Sequence, residues 1–415
     1  MLFLNDEWDE LCQATPSRGM TPRSTSAREQ LARTWPLRAL LVFGVLLAFM
    51  ETVLYTALSP LIPELARELS LSATQVGTMT AAYPAGLVVA SVPVGYAASR
   101  GGPRVTAVVG LWVLAFGSLL FALMHSAVEL DVARFLQGAG SAAAWGGALA
   151  WLAAAYPLAD RGGAIGIQIS AAFLGILLGP AIGAVAASAG RQGTFTVIGV
   201  GLALVALWGG PRRASITPRS SREHVSLRSF RHPALLASLA CVVALGVLAG
   251  TLTALGPLLL AERGLGASAI AACFICAAGP QLLFTSALGR RLGRSGLLQF
   301  CIAMMLLSAL LLPLTTVPTG QVMTAVLFSV VVGVEFITFN PLLLLTSSVA
   351  ERLDRSQGLA MSLANGAWGL GAAAGGLCLA RLADATSISG GFLAAGLIAL
   401  TAGATLAAAM RAGVL

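Results

Sequence analysis

The sequence predicts an all-α membrane protein with twelve transmembrane helices, and three observations lead to this fold class. Hydrophobic residues make up 57% of the 415 residues and charged residues only 10%, whereas a soluble domain carries about 25% charged residues. The mean hydropathy is +0.86. Long apolar runs recur, each close to the ~20 residues that cross a ~30 Å hydrocarbon core. This composition excludes a soluble globular domain, a disordered chain, a collagen and a disulfide scaffold.

The apolar runs set the limits of the predicted spans. They cover residues 38–61, 76–98, 104–124, 128–155, 163–188, 192–210, 233–259, 267–289, 296–315, 321–347, 357–380 and 388–410. Membrane strands are excluded because the runs are too long and lack a ten-residue alternation of polar and apolar side chains. Residues 1–37 lack the pattern of a signal peptide and are interpreted as a cytosolic tail, with Met20 as an alternative start.

The arginine distribution predicts cytosolic N- and C-termini. With the N-terminus inside, the cytosolic segments hold 20 arginines and the outer loops hold 4, which is the bias of the positive-inside rule. The basic excess is therefore assigned to topology in the cytoplasmic (inner) membrane, and no nucleic-acid partner is predicted. The Arg-, Ser- and Pro-rich loop 211–232 is interpreted as a flexible linker between two six-helix bundles, residues 38–210 and 233–415.

The two predicted bundles repeat one another in sequence. The basic loop 99–104 after span 2 is echoed by 290–294 after span 8, and Asp160-Arg161 before span 5 is echoed by Asp354-Arg355 before span 11. The repeat predicts pseudo-symmetric bundles that rock about a shared central site.

Three ionisable residues at membrane depth are the candidate proton-coupling groups, because each costs at least ~2.5–3.5 kcal/mol there. Glu51 lies about 20 Å from the inner surface and Arg134 roughly 10 Å from the outer one, so the two can face each other in a ~30 Å core. Glu335 lies near mid-membrane in the second half. The alternative for Arg134 is a structural ion pair with Asp131, one turn earlier.

Polar and aromatic side chains on the same helices predict a cavity for an amphipathic or cationic molecule. The candidate substrate-binding residues are Tyr55, Gln137, Trp145, Gln281, Asn340, Asn365 and Trp368, with Ser141 on the face of Gln137. The alternative is ordinary hydrogen bonding between helices and interfacial placement of tryptophan. A carboxyl group in such a cavity can bind a proton and a substrate cation in turn, as a proton-coupled transporter requires.

Glycine spacing predicts a close and bendable helix contact in span 5. Gly175, Gly179 and Gly183 form one stripe, and Pro180 permits a bend beside it. The sequence contains no GxxxxGK[ST], HExxH or GxSxG motif, so we predict no enzyme activity and no cofactor. Cys273 and Cys276 form a CxxC within an apolar run and are interpreted as packing residues, so no metal site is predicted.

Over nearly all of residues 38–411, these features resemble the major facilitator superfamily, in particular its proton-coupled drug-antiporter branch. The loop from Gly95 to Arg104 is similar to the span 2–3 signature, although Ser99 stands where aspartate is usual. That resemblance implies gating roles for Gly95, Arg100, Gly102 and Arg104. The stretch 134–140 resembles the span 4 signature, whose arginine is implicated in proton coupling, and 175–183 resembles the antiporter signature. Acidic residues in spans 1 and 10 are similar to those of vesicular amine transporters.

The favoured function is export of a small organic molecule (drug-like, amine or metabolite) in exchange for protons by alternating access. The protein is expected to act as a monomer in a lipid bilayer, with a small-molecule substrate and protons as its partners. One alternative is a proton-coupled importer of a small nutrient. An alternative of another class is a non-transporting membrane sensor or scaffold.

Overall fold

The computed structural model describes residues 27–209, 232–291, 294–353 and 357–413, and every element in these ranges is helical. The predicted tail up to residue 26 and the predicted linker, except His232, lie outside the described residues. By contacts the chain divides into two units, Met1–Ala39 and Leu40–Leu415. The described part of the first unit is the beginning of one helix, and the second unit holds all the other elements.

The helices follow one another with short connections. They are α1 (Ala27–Thr56), α2 (Leu58–Glu68), α3 (Ala73–Gly101), α4 (Pro103–Leu123), α5 (Ala127–Ala155), α6 (Leu158–Ala189), α7 (Arg191–Gly209), α8 (Pro233–Glu262), α9 (Ala267–Arg291), α10 (Arg294–Leu314), α11 (Gln321–Arg352), α12 (Gln357–Ala374), α13 (Ala380–Ala385) and α14 (Ile388–Arg411). A π-helical turn, Gly375–Leu379, joins α12 to α13.

Ten of the twelve predicted apolar runs coincide with single helices to within five residues at each end, and the first and eleventh coincide with helices joined end to end. Ten helices in the described ranges are long and apolar enough to cross a membrane, so the chain is a multi-pass, all-helical protein. The first span extends well beyond its predicted end at residue 61, because α2 continues to Glu68. The eleventh extends through the π-helical turn to Ala385.

Local sequence signals fix several helix starts. Ser72 with Gln75 and Ser126 with Glu129 form capping boxes at α3 and α5, in which each pair satisfies two backbone N–H groups that have no partner within the helix. Between α3 and α4, Gly102 has φ +86°, a conformation that glycine adopts without steric cost. Pro103 follows it at the first position of α4, where the missing N–H is not needed.

The apolar cores lie in two groups of helices. One cluster of buried side chains is drawn from residues 40–206 and includes Phe43, Phe121 and Phe195. Separate clusters are drawn from residues 234–406 and include Phe274, Phe328 and Phe392. The two groups meet where α3 packs on α12 and where α6 packs on α9.

The two ends of the helices differ in how tightly the groups are joined. We call the end with the α2–α3 and α13–α14 connections the distal end, and the end with the α3–α4 connection the proximal end. Toward the distal end, Gly77 of α3 lies directly against Gly376 and Ala380. Toward the proximal end, Val92 is 81% exposed, and a Cβ added at Gly95 or Gly366 would meet no atom of the described residues within 4 Å. The contact between α3 and α12 is therefore concentrated toward the distal end.

The crossing of α3 and α5 depends on two glycines that face the partner backbone. A Cβ at Gly138 would overlap the carbonyl oxygen of Tyr83, and one at Gly86 would overlap that of Phe135. Small residues permit this close approach of helix backbones. The approach fixes Tyr83 of α3 beside the part of α5 that carries Arg134 and Ser141.

We expect Gly138→Ala to lower the thermal unfolding midpoint of the purified protein, because overpacking at such a contact costs about 1–3 kcal/mol. Gly146→Ala is the matched control, since its Cβ would meet no atom within 4 Å on the same helix. The control should match the wild type or exceed it slightly, because alanine favours helices by about 1 kcal/mol over glycine. Equal midpoints for the two variants would contradict this packing.

Candidate functional site: a buried carboxyl, arginine and tyrosine cluster

Glu51 of α1 is held by hydroxyl groups from two other helices. Tyr83 of α3 donates to Glu51 Oε1 at 2.6 Å, and Ser141 of α5 donates to the same oxygen at 2.5 Å. The glutamate side chain is only 7% exposed. Because Oε1 accepts both bonds, Oε2 is the oxygen left to carry a proton.

Arg134 lies in the same cluster but does not pair directly with Glu51. The ion pair found among the described residues joins Glu64 to Arg67 on the surface. Arg134 is 1% exposed, and one terminal nitrogen donates to Gln137 Oε1 at 2.8 Å and to the Leu54 carbonyl at 3.4 Å. Asp131, the alternative partner in the sequence, does not pair with it either.

Tyr83 contacts both Arg134 and Glu51. The Arg134 guanidinium lies 4.7 Å from the centre of the Tyr83 ring, in the arrangement of a cation–π contact, while the phenol oxygen binds Glu51. Tyr83 is not among the site residues that the sequence predicted. Its depth was the available signal, since Tyr83 lies about as far into span 2 as Arg134 does into span 4, and a buried tyrosine needs a hydrogen-bond partner.

A chain of aromatic contacts leads from this cluster to the second group of helices. The ring of Tyr55 lies 5.0 Å from that of Tyr83 and 6.3 Å from that of Trp368 on α12. Trp368 in turn lies 5.8 Å from Phe339 on α11. The structure therefore brings together Tyr55 and Trp368, which the sequence assigned to one cavity, and adds Phe339.

Glu335 occupies the other side of these rings. It is 5% exposed, and no described residue donates a hydrogen bond to it. It lies one helical turn before Phe339. The second carboxyl thus has aromatic neighbours where the first has hydroxyl donors.

Three buried N–H donors near the cluster have no hydrogen-bond partner among the described atoms. They are Arg134 Nε, Gln137 Nε2 and Trp368 Nε1. Most buried polar groups in proteins are paired with protein or water. These donors are therefore available to acceptor atoms of a bound molecule or to ordered water.

The other candidate substrate-binding residues are less clearly placed at the cluster. Gln281 is buried on α9, and Trp145 and Asn340 are half-buried on α5 and α11. Asn365 is exposed on α12.

The predicted gating residues lie apart from the cluster. At the proximal end, Arg104 donates from Nε and Nη2 to the Gly209 carbonyl at 3.3 and 3.2 Å. It thereby ties the start of α4 to the last residue of α7, where cations are favoured. The Arg100 side chain lies outside the described residues.

The glycine stripe of α6 packs against α1, the helix that carries Glu51. Gly175 faces Thr52, Gly179 faces Thr56 and Gly183 faces the Ala57 carbonyl. Thr52 also donates to the Ala172 carbonyl at 3.0 Å. Pro180 is buried within the continuous helix α6. The stripe therefore fixes how closely α6 approaches the carboxyl-bearing helix.

Comparison with known proteins now decides the family. The family model described as Major Facilitator Superfamily matches residues 43–360. The chain belongs to the major facilitator superfamily. It is therefore a membrane transporter and not an enzyme.

Two curated relatives are each 30% identical to part of this superfamily member. One is the "MFS-type transporter ppzB" of Metarhizium rileyi (strain RCEF 4871), matched over 190 residues, which is 45% of this chain and 39% of the relative. The other is "Multidrug resistance protein 1" of Bacillus subtilis (strain 168), matched over 124 residues, which is 30% of this chain and 32% of the relative. The matched stretches thus span well under half of either relative.

Solved structures share the superfamily fold at low sequence identity. A bacterial homologue of the human lysosomal transporter Spinster, described as inward-facing and unoccupied, has a TM-score of 0.70 and 16% identity, covering 95% of this chain and 98% of that one. A point mutant of the nucleoside transporter NupG has a TM-score of 0.71 and 13% identity, covering 90% of this chain and 99% of that one.

We expect Tyr83→Phe to lower the thermal unfolding midpoint, because a hydrogen bond to an ionisable buried group is worth about 1.5–3 kcal/mol. The ring under Arg134 is retained, so the change isolates the phenol oxygen. Ser91→Ala on the same helix is the control, since its exposed hydroxyl bonds the Leu87 carbonyl within α3, and it should leave the midpoint nearly unchanged. Indistinguishable midpoints for Tyr83→Phe and the wild type would show that the bond to Glu51 is not formed.

Proposed function

We propose that this transporter exports a small organic molecule across the cytoplasmic membrane in exchange for protons. The observation that carries the proposal is the setting of Glu51, a buried carboxyl held by Tyr83 and Ser141 with no direct arginine partner among the described residues. Protonation of such a group breaks no salt bridge. Glu51 can therefore gain and lose a proton without first separating from a cationic partner, which suits a proton-binding residue.

The membrane arrangement we propose has twelve spans in two six-helix bundles, residues 38–210 and 233–415, with cytosolic termini. To the ten long apolar helices it adds α5 and α9. Helix α5 is less apolar because it carries Arg134, Gln137 and Ser141, and it packs against α3 and α4. The arginine bias then makes the proximal end cytosolic and the distal end external. Under this assignment the structure is closed toward the outside.

We propose an organic cation with hydrogen-bond acceptors as the substrate class. Glu335 supplies a buried carboxyl group to which no described residue donates a hydrogen bond, and Tyr55, Phe339 and Trp368 supply ring faces nearby. Carboxylate and aromatic faces together suit an ammonium group. The unpaired donors on Arg134, Gln137 and Trp368 suit acceptor atoms elsewhere in the same molecule.

Two carboxyls also meet the energetic demand of exporting a cation. A membrane potential contributes ~2.3 kcal/mol per charge per 100 mV, and each pH unit contributes ~1.4 kcal/mol. Exchange of one proton for one monocation is electrically neutral and yields only about a tenfold gradient per pH unit. When two protons are exchanged for one monocation, one net charge crosses the membrane. The membrane potential and a second pH contribution then both drive export. Glu51 and Glu335, one in each half, provide two proton sites.

The direction of transport rests on two supports. The B. subtilis relative is named a multidrug resistance protein, and the Gly175–Gly183 stretch resembles the antiporter signature. Uptake of a nutrient is the competing outcome. Movement of the probe opposite to the direction of proton flow indicates export by exchange. Movement of the probe in the same direction as the protons indicates proton-coupled uptake.

Transport by purified protein in proteoliposomes tests the mechanism, with ethidium as a monocationic probe and imposed pH and voltage gradients. We expect wild-type exchange to respond to both gradients. Glu51→Gln should weaken the response to pH, because one of the two proposed proton sites is lost, and the Glu51→Gln, Glu335→Gln double variant should abolish it. Glu335→Gln should lower the apparent affinity for ethidium by about tenfold or more, the equivalent of 1.4 kcal/mol.

The control for both variants is Glu64→Gln, which removes a surface carboxyl that pairs with Arg67. It should leave the flux and its gradient dependence unchanged. Ethidium flux that ignores both gradients in the wild type, or pH coupling that persists in the Glu51→Gln, Glu335→Gln double variant, would defeat the proton-exchange mechanism.

A further inference from the structure

The start of α3 is completed by a residue from the other group of helices. The first N–H groups of a helix have no partner inside it and need acceptors from elsewhere. At α3 the capping box supplies two of them, since Gln75 Oε1 accepts from Ser72 N at 2.9 Å and Ser72 Oγ accepts from Gln75 N at 3.3 Å. The N–H groups of Ala73 and Thr74 lie between Ser72 and Gln75 and have no acceptor in the capping box.

Asp384 of α13 accepts from both of these groups. Its Oδ1 lies 2.9 Å from Ala73 N, and its Oδ2 lies 2.8 Å from Thr74 N. A carboxylate at a helix N-terminus is further favoured by the helix dipole. The α3 start thus satisfies four N–H groups, two from its own residues and two from a residue more than 300 positions away in the other half.

Two other distal helix starts are capped by side chains of their own half. At α5, Glu129 accepts from the Ser126 and His125 N–H groups, and Ser126 Oγ accepts from Glu129 N. At α14, Ser387 Oγ accepts from Gly390 N. These caps stay intact however the two groups of helices move. The α3 cap is different because it is lost when α3 and α13 separate.

The surrounding packing directs Asp384 at this helix start. Gly376, in the π-helical turn, lies against Thr80 and Gly77 of α3, and the turn adds one residue to the helix. An added residue rotates everything after it by about 100° relative to an uninterrupted α-helix. Asp384 also lines a surface cavity of about 580 Å³ at the distal end, whose walls include Pro63, Leu71, Leu258 and Ile388. Residues of both halves therefore form that cavity.

We propose that Asp384 is a latch that holds the distal end closed by capping α3 from the opposite half. The latch rests on the alternating-access part of the proposed function and is independent of proton coupling. Opening of the distal end removes the acceptor from Ala73 N and Thr74 N, and water must replace it. Loss of the carboxylate therefore favours the distally open state.

Distances measured by pulsed electron paramagnetic resonance test the latch on the full chain. The native cysteines are replaced first, so that spin labels attach only at introduced cysteines. One label pair, on Glu68 and Ser389, reports the distal end, and a second, on Val92 and Asn365, reports the proximal end; all four side chains are exposed. In Asp384→Ala we expect the ratio of distally open to distally closed molecules to rise about fivefold or more, the equivalent of about 1 kcal/mol. Asp384→Asn, which keeps one acceptor oxygen, should give an intermediate shift.

The matched control is Glu129→Gln, which weakens a carboxylate cap of the same kind at the same end but within one half. It should leave both distance distributions unchanged. Rocking of the two halves predicts that the distal distance lengthens while the proximal distance shortens. An unchanged ratio in Asp384→Ala, or a longer distal distance without a shorter proximal one, overturns the latch. A failure of proton coupling alone would leave these distances as expected.

Discussion

The hydrogen bonds that hold Glu51 are the interaction on which the rest of this transporter depends. A carboxyl inside a membrane protein is costly unless polar groups face it, and here the donors come from α3 and α5 rather than from α1 itself. The donors are in reach because Gly138 and Gly86 let the two helix backbones touch. The glycine contacts between α3 and α5 therefore position Tyr83, and Tyr83 in turn holds the Glu51 carboxyl.

The two halves of the molecule place their buried carboxyl groups in different chemical environments. In the first half, the Glu51 carboxyl accepts hydrogen bonds from hydroxyl groups, and Arg134 contacts the ring of Tyr83, which supplies one of those hydroxyls. The second half holds its carboxyl beside aromatic faces and, among the described residues, without a donor. Tyr55 and Trp368 touch across the boundary, so a molecule bound between them would contact both settings. The same boundary carries the distal contact of Asp384 with α3.

Sequence alone predicted the helices well, because each membrane-crossing helix is an apolar run of fixed length, and it placed Glu51 and Arg134 at a common depth. It did not predict that Tyr83 separates them, since the order of side chains across three packed helices depends on the α3–α5 crossing. It did not predict the role of Asp384 either. That residue is distant in sequence from α3, and the π-helical turn at Gly375–Leu379 that orients it has no distinctive residue pattern.

The central claim is that Glu51 exchanges a proton while it stays bound to Tyr83 and Ser141. Infrared difference spectroscopy of the purified protein across a pH titration measures this directly, through the carbonyl band of a protonated carboxyl group. We predict a titrating band that is missing in Glu51→Gln, present in Glu64→Gln and shifted in frequency in Tyr83→Phe, because the phenol bonds to that carboxyl. A spectrum in which Glu51→Gln removes no titrating carboxyl band would contradict the account.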